Sequence, residues 1–120
     1  MTDIQRYGKT IELRPEHREE YLRLHAEAWP SVLRALTACR IRNYSIFLEG
    51  DTLFSYFEYD GEDFAADSAR MAADPDTRAW WKLTDPCQRQ TSGAVPGEWW
   101  TPMREVFHHD RAVGAPTCLS

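Results

Sequence analysis

The chain has 120 residues, with 14 lysines and arginines against 19 aspartates and glutamates and a formal net charge of −5 at pH 7. This length suits a single domain and excludes a (β/α)8 barrel of roughly 250 residues or a dinucleotide-binding domain joined to a separate substrate domain. The acidic balance argues against nucleic acid or an anionic membrane as the main partner, because clustered basic side chains bind both.

The first predicted elements are a strand and a long helix. Residues 5–13 have the length and β-branched content of a strand, and Pro15 follows at a position where the first helical turn tolerates proline. Residues 16–38 carry apolar side chains three and four positions apart, which predicts a helix. Pro30 should kink or restart this helix, because proline lacks the backbone donor and clashes with the preceding turn.

A β-hairpin is predicted next. Residues 41–49 and 52–59 are rich in aromatic and branched side chains, and Gly50-Asp51 joins them. The second of these strands is apolar on both faces, since Leu53 and Phe57 point one way and Phe54 and Tyr56 the other. An uncovered apolar sheet face is an association surface, and two-fold pairing is the commonest way to cover it. We therefore predict a homodimer.

The rest of the chain is predicted to form two helices, a long loop and a last strand. Helices are predicted at residues 62–73 and 76–83, and the Pro, Gly, Ser and Thr content of residues 85–97 is typical of a loop. A loop of this length is often functional. Residues 103–109 are predicted as the last strand, and residues 110–120 as a loose tail.

The resulting order is β-α-β-β-α-β, which is the ferredoxin-like arrangement of the α+β class. Residues 1–109 are predicted to form the single domain. No apolar run approaches the roughly 18 residues that span a bilayer, and the start of the chain lacks the apolar core of a signal peptide. We expect a cytoplasmic protein without membrane contact.

The cysteines indicate neither disulfides nor a structural metal site. Cys39, Cys87 and Cys118 are odd in number, far apart and in no CxxC pair, so buried or incidental thiols are expected. A nucleophilic role for Cys87 would need a nearby histidine, and no spacing points to one.

Tyr21, His25 and Trp29 follow one another four residues apart and form one stripe along the first helix. Histidine exchanges protons near neutral pH, so His25 beside a phenol is a workable acid–base element. The alternative is that both side chains only border the core with their polar tips at its edge.

Tryptophan is unusually frequent, with five residues that include the adjacent pairs Trp80-Trp81 and Trp99-Trp100. Adjacent residues cannot both lie on one face of a helix or a strand. One member of the first pair is expected in the core, and the other could line an apolar ligand site. The Asn43-Tyr44-Ser45 segment places a phenol on one face of its strand and two small polar side chains on the other.

Taken together, these segments resemble the L-rhamnose mutarotase family of small dimeric α+β barrel proteins. The ordered elements span residues 6–108, nearly the whole domain. They are Glu20-Tyr21, His25, Trp29-Pro30, Asn43-Tyr44-Ser45-Ile46, Trp80-Trp81 and Glu105-Val106-Phe107. The resemblance implies an isomerase that interconverts the α and β anomers of a monosaccharide without a cofactor or a metal.

The resemblance also implies roles for individual residues. His25 is implied as the proton donor, and Tyr21, Tyr44, Trp80 and Trp81 as sugar-binding residues. This chain departs from the family at Ser31, where an acidic residue commonly follows Trp-Pro. It departs again at Trp99-Trp100, where the family is polar. Both departures bear on the sugar, so L-rhamnose, L-fucose and other 6-deoxyhexoses stay open as substrates.

Two other functions are compatible with the same architecture. One is a cofactor-free monooxygenase or a haem-degrading protein, which rests on analogy of fold alone. The other is a non-catalytic small-molecule-binding or stress-response module. The general base opposite His25 is not assigned by the sequence.

Overall fold

The computed structural model describes residues 3–109, which form a five-stranded antiparallel sheet with four α-helices over one face. The strands are β1 (Gln5–Leu13), β2 (Ile41–Glu49), β3 (Thr52–Tyr59), β4 (Gln88–Arg89) and β5 (Thr101–Met103). The helices are α1 (Arg18–Ala26), α2 (Pro30–Ala38), α3 (Phe64–Ala73) and α4 (Pro75–Thr84). Short 3-10 turns occupy Pro15–His17 and Asp85–Cys87. The ferredoxin-like α+β class and the β2–β3 hairpin are confirmed.

The sheet order is β2-β3-β1-β4, and β5 pairs with β1 near its middle. The face of the sheet that packs against the helices is called the inner face here, and the opposite one the outer face. Ile11, Leu13 and Leu53 point to the inner face, where they form a buried core cluster with Tyr21 of α1 and Cys87. None of the described helices is long and apolar enough to cross a membrane.

The predicted long helix is divided at Pro30. Helix α1 ends at Ala26 and α2 begins at Pro30, while Trp29 between them has an extended backbone (φ −68°, ψ 131°). The steric clash of a proline ring disfavours the helical conformation of the preceding residue, which explains the break. The two helices can therefore take different directions over the sheet.

Two expectations for the C-terminal half are wrong. The segment 85–97 is not loop throughout, because it opens with a 3-10 turn and the short strand β4, which pairs with Glu12 and Leu13 of β1. The last strand is Thr101–Met103 rather than residues 103–109. It pairs only with Gly8–Thr10, and residues 104–109 have no strand neighbour among the described residues, so their β-forming side chains alone do not make a strand.

Beyond β5 the chain runs along the edge of the domain. The Arg6 guanidinium binds the Glu105 carboxylate at 2.9 Å, and the next residues, Val106 and Phe107, are 82 % and 81 % exposed. The tail predicted for residues 110–120 lies outside the described residues.

Leu53→Ala tests the inner-face core. We expect it to lower the free energy of unfolding by about 2–5 kcal/mol, because it leaves a cavity in the fully buried cluster. The measurement is urea unfolding followed by circular dichroism. Leu83→Ala, on the exposed side of α4, is the matched control and should change the unfolding free energy by about 0.5 kcal/mol or less. Equal losses in the two variants would contradict this description of the core.

Candidate active site

A cavity of about 680 Å³ lies between the inner face of the sheet and the helices. This volume is within the range of small-molecule sites, about 300–1,000 Å³. Its walls are mainly aromatic and aliphatic, with a few polar groups among them. The polar side chains that line it include Lys9, Tyr21, His25, Tyr44, Asp85 and Gln88.

Tyr21 and His25 lie one turn apart on α1, and their ring centroids are 4.2 Å apart. The His25 Nδ1 atom is 2.9 Å from the backbone oxygen of Tyr21. A carbonyl oxygen only accepts, so Nδ1 carries the hydrogen and donates it. In the neutral imidazole, Nε2 is then the unprotonated nitrogen.

The surroundings of His25 favour its neutral form. Desolvation lowers the pKa of the imidazole below its ordinary value, and the hydrogen bond to the Tyr21 carbonyl opposes only part of this shift. His25 is therefore mainly neutral near pH 7 and offers Nε2 as a proton acceptor. The sequence predicts that His25 lies beside the Tyr21 phenol, and the two rings are in contact in the structure.

Trp80 and Trp81 both line the cavity, at different depths. Trp80 is only 7 % exposed and packs edge-on against both His25 and Trp29, each at a centroid distance of 5.3 Å. Trp81, the next residue on α4, is 38 % exposed. The expectation of one core member is met by Trp80, which is buried and also contributes to the cavity wall.

Tyr44 reaches the cavity because β2 contains a bulge. The pairing with β3 shifts between Arg42 and Ser45, so Asn43 and Tyr44 both lie opposite Phe57. Asn43 adopts φ +50°, a left-handed conformation that asparagine tolerates better than most residues. Regular alternation from the inward-facing Ile41 would have turned Tyr44 to the outer face. The bulge instead brings its ring to 5.6 Å from that of Phe57.

The two phenols of the site stay protonated at neutral pH. Tyr44 is 42 % exposed as a residue, yet desolvation of its hydroxyl raises the pKa to about 12. Desolvation also raises the pKa of Tyr21, and the hydrogen bond from Gln88 lowers it in part. Both side chains can therefore donate a hydrogen bond to a ligand.

Lys9 is a site residue that the sequence did not single out. It lies on the inner face of β1, two residues from Ile11, and its Nζ is 5.7 Å from the centroid of the Phe57 ring. Desolvation lowers its pKa, and the nearby Glu98 raises it in part. Within residues 3–109 its ammonium forms no ion pair. The alternation of β1 was the available signal, because it places Lys9 on the same face as Ile11 and Leu13.

Gln88 is another site residue that the sequence did not single out, and it contacts Trp99, which the sequence marked only as a departure from the family pattern. The Trp99 indole N–H donates to Gln88 Oε1 at 2.8 Å, and Gln88 Nε2 donates to the Tyr21 hydroxyl at 3.2 Å. Trp100 lines the cavity and packs against the core cluster. Of the two departures from the family pattern, the tryptophan pair reaches the cavity, whereas Ser31 does not line it.

Cys87 is buried and has a histidine nearby, which the sequence spacing did not indicate. Its thiol donates to Glu20 Oε1 at 3.4 Å, and the His17, Glu20 and Cys87 ligand atoms lie within 4.8 Å of one another. Desolvation, with a contribution from Glu20, raises the pKa of the thiol to about 11. A thiol that keeps its proton is a poor nucleophile and a poor metal ligand.

The titratable residues that line the cavity share one property, since burial moves each of them toward its uncharged form. Desolvation lowers the pKa of Lys9 and His25 and raises that of Tyr21, Tyr44 and Asp85. An aromatic cavity of this kind favours a neutral ligand that offers both hydrogen-bonding groups and C–H surface.

The sheet, the helices over its inner face and the aromatic cavity define a ferredoxin-like α+β protein with a small-molecule site. A family model described as L-rhamnose mutarotase matches residues 6–109. The chain belongs to the L-rhamnose mutarotase family, as the resemblance in sequence implied.

Individual relatives agree with this assignment. An L-rhamnose mutarotase of Oceanobacillus iheyensis is 33 % identical over 109 residues, which cover 89 % of this chain and all of the relative. An L-fucose mutarotase of Xanthomonas campestris pv. campestris is 37 % identical over 98 residues, 78 % of each chain. The fold matches the crystal structure of an L-rhamnose mutarotase from Formosa agariphila with a TM-score of 0.68 and 21 % identity, over 88 % of this chain and 99 % of that one.

The protonation of His25 can be measured directly. We expect long-range ¹H–¹⁵N correlation spectra to show the hydrogen on Nδ1 at about pH 7.5, and the titration midpoint to lie below the ordinary histidine value of about 6.5. His25→Gln assigns the signals by removing them. A hydrogen on Nε2, or a midpoint above that value, would contradict the geometry described here.

Proposed function

We propose that this protein is a cofactor-independent mutarotase that interconverts the α and β anomers of L-rhamnose or a similar 6-deoxyhexose such as L-fucose. The observation that carries the proposal is the neutral His25 imidazole, which faces an aromatic cavity together with two protonated phenols. Membership in the L-rhamnose mutarotase family supports the reaction type, and the relatives named for L-rhamnose and L-fucose support the substrate class.

The reaction needs only proton transfer. The anomeric hydroxyl loses a proton, the ring oxygen gains one, and the bond from C1 to the ring oxygen breaks to give the aldehyde. Rotation about C1–C2 presents the other face, and ring closure reverses the proton transfers. No electron or group leaves the sugar, so general acid–base catalysis, worth about 10²–10⁴ in rate, is sufficient.

His25 can carry the proton in both directions. In the neutral form its Nε2 accepts the proton of the anomeric hydroxyl. The resulting imidazolium donates it to the ring oxygen, which is bonded to the same carbon. The lowered pKa makes the imidazolium a stronger acid and thus a better donor. We therefore propose His25 as the catalytic proton donor, and also as the base that recovers the proton.

Tyr21, Tyr44, Trp80 and Trp81 are proposed to bind the sugar. The indole rings offer apolar surface to the C–H faces and the methyl group of a 6-deoxyhexose, while the phenols hydrogen-bond to its oxygens. A hexose is uncharged, which suits a cavity whose titratable groups are shifted toward their uncharged forms. Lys9 is a further hydrogen-bond donor on the opposite wall, the inner face of the sheet.

We further propose that two copies of the chain pair through their outer sheet faces. Phe47 and Phe54 lie opposite each other there and are exposed, and Tyr56 and Met103 continue the same face. An apolar face of this kind is usually covered, and a second copy covers it by two-fold symmetry. Residues 104–109, which follow β5, are also exposed and add to the uncovered surface. The free thiols Cys39 and Cys87 suit a reducing compartment, so we propose the cytoplasm.

Anomer exchange by NMR tests the reaction. We expect the wild-type protein to transfer saturation between the α and β signals of L-rhamnose or L-fucose well above the spontaneous rate. His25→Ala should lower this exchange by about 100-fold or more, since it removes the proton carrier. His17→Ala is the matched control, because His17 lies in the 3-10 turn just before α1 and does not line the cavity. No exchange with any deoxy-sugar, or equal rates for wild type and His25→Ala, would refute the proposal.

Phe47→Glu tests the proposed dimer. We expect sedimentation equilibrium to give twice the chain mass for the wild type and the monomer mass for this variant, because it places a charge in the apolar interface. Val95→Glu introduces the same charge at an exposed loop position and should stay dimeric. A monomeric wild type would disprove pairing through this face.

A further inference from the structure

We propose that Gln88 and Trp99 are positioning residues that fix the Tyr21 hydroxyl as a hydrogen-bond donor toward the cavity. Neither side chain is among the catalytic and sugar-binding residues that the family resemblance implies, and Trp99 is one of this chain's departures from the family pattern. That the ligand is a sugar rests on the proposed function, whereas the hydrogen bonds from Trp99 to Gln88 and from Gln88 to Tyr21 do not.

The donor and acceptor roles in this series of hydrogen bonds are fixed by Trp99. An indole N–H can only donate, so the Gln88 atom at 2.8 Å from it must be the amide oxygen. This fixes the orientation of the amide, and its NH2 group therefore lies 3.2 Å from the Tyr21 hydroxyl. Gln88 is 4 % exposed, so water does not compete freely for either end of the amide.

The amide NH2 can only donate, so the Tyr21 oxygen accepts. A phenol has one hydrogen, which lies in the plane of the ring and points away from the incoming donor. Among residues 3–109 no group accepts a hydrogen bond from the Tyr21 hydroxyl. Tyr21 is 2 % exposed and borders the cavity, so a ligand oxygen in the cavity is the acceptor that we propose for this hydrogen.

This polarity complements that of His25. The centroids of the two rings are 4.2 Å apart. The neutral imidazole accepts a hydrogen bond at Nε2, whereas the phenol donates one. A cyclic sugar carries a matching pair at its anomeric carbon, since the hydroxyl there gives up a hydrogen and the adjacent ring oxygen only accepts. With the opposite polarity, Tyr21 would face the ring oxygen with a lone pair, and a buried acceptor would lose its hydrogen bond.

The position of Trp99 explains how a loop residue takes part. The segment after β4 returns to the cavity edge, where Trp99 stays partly exposed while its N–H reaches the buried amide. Trp99 thus lines one side of the cavity and fixes the orientation of the Gln88 amide, which in turn orients the Tyr21 hydroxyl.

Two substitutions of Gln88 separate positioning from a structural role. Q88E is studied at a pH high enough to ionise the new carboxyl, because burial at this position raises its pKa. The carboxylate then accepts from both Trp99 and Tyr21, so both hydrogen bonds persist but the phenol hydrogen turns away from the ligand. In Q88M both hydrogen bonds are lost, and the phenol hydrogen is free to reach the ligand. We expect Q88E to weaken sugar binding by about tenfold and Q88M by less. A merely structural role predicts the reverse order.

The measurements are the dissociation constant from tryptophan fluorescence and KM and kcat from anomer exchange by NMR. A double-mutant cycle isolates the part that acts through Tyr21: in the Y21F background, Q88E should cause no further loss. A general effect of the new negative charge would persist in that background. The proposal is overturned if Q88M weakens sugar binding as much as Q88E or more. It is also overturned if Q88E weakens binding in the Y21F background as much as it does in the wild type.

The ligand-free protein gives a readout that does not depend on the sugar. The Trp99 indole N–H signal should be protected from solvent exchange in wild type and Q88E and lose protection in Q88M. If this pattern holds while no deoxy-sugar exchanges, the proposed function fails and the hydrogen-bond chain stands. If the protein exchanges anomers but Q88M leaves the protection of the Trp99 indole N–H unchanged, the proposed hydrogen bonds are wrong and the proposed function stands.

Discussion

The packing of Tyr21 between α1 and the inner face of the sheet is the contact on which the rest of the site depends. Its ring belongs to the buried core cluster with Ile11, Leu13 and Leu53, so the sheet holds it in place. From this fixed position its backbone oxygen accepts a hydrogen bond from His25 and orients the imidazole, and its hydroxyl oxygen accepts one from the Gln88 amide. One core residue thus links the stability of the fold to the protonation of the proposed proton carrier.

The aromatic walls impose a second constraint, which is chemical. A cavity lined by Phe57, Trp80 and their neighbours solvates charges poorly, so each titratable group in it is moved toward neutrality. A site built on fixed charges would lose stability in such surroundings. An uncharged imidazole and two phenols can instead exchange protons and hydrogen bonds with a neutral sugar at little electrostatic cost. The same walls offer the C–H faces of that sugar a surface to cover.

The parts of the site that could be predicted from sequence are those set by local spacing. Tyr21 and His25 share a helix face because they are four residues apart, and Pro30 ends the helix through its own ring. The sequence predicts Tyr44 only as a side chain on one face of a strand, because its entry into the cavity depends on a bulge that the alternation does not show. Lys9 could have been found from the inner-face register of β1, whose pattern it interrupts.

The remaining features depend on pairing between distant segments. Gln88 lies in a stretch whose composition is typical of a loop, and it becomes a site residue only because β4 pairs with the end of β1. Trp99 reaches Gln88 across eleven residues through a return of the chain that no periodicity encodes. Conversely, residues 104–109 have strand-forming side chains but no neighbouring strand in the described chain, so their composition predicted too much.

Alternation along β3 also separates the two roles proposed for the sheet. Ser55 and Phe57 face the cavity, whereas Phe54 and Tyr56, between and beside them, face outward. A strand needs no extra length for this division, since successive side chains point to opposite faces. Association through the outer face would therefore leave the cavity residues in place and still hold the sheet on which they stand. Substitutions on one face should change oligomeric state without moving Tyr21, and substitutions on the other should change catalysis without separating the subunits.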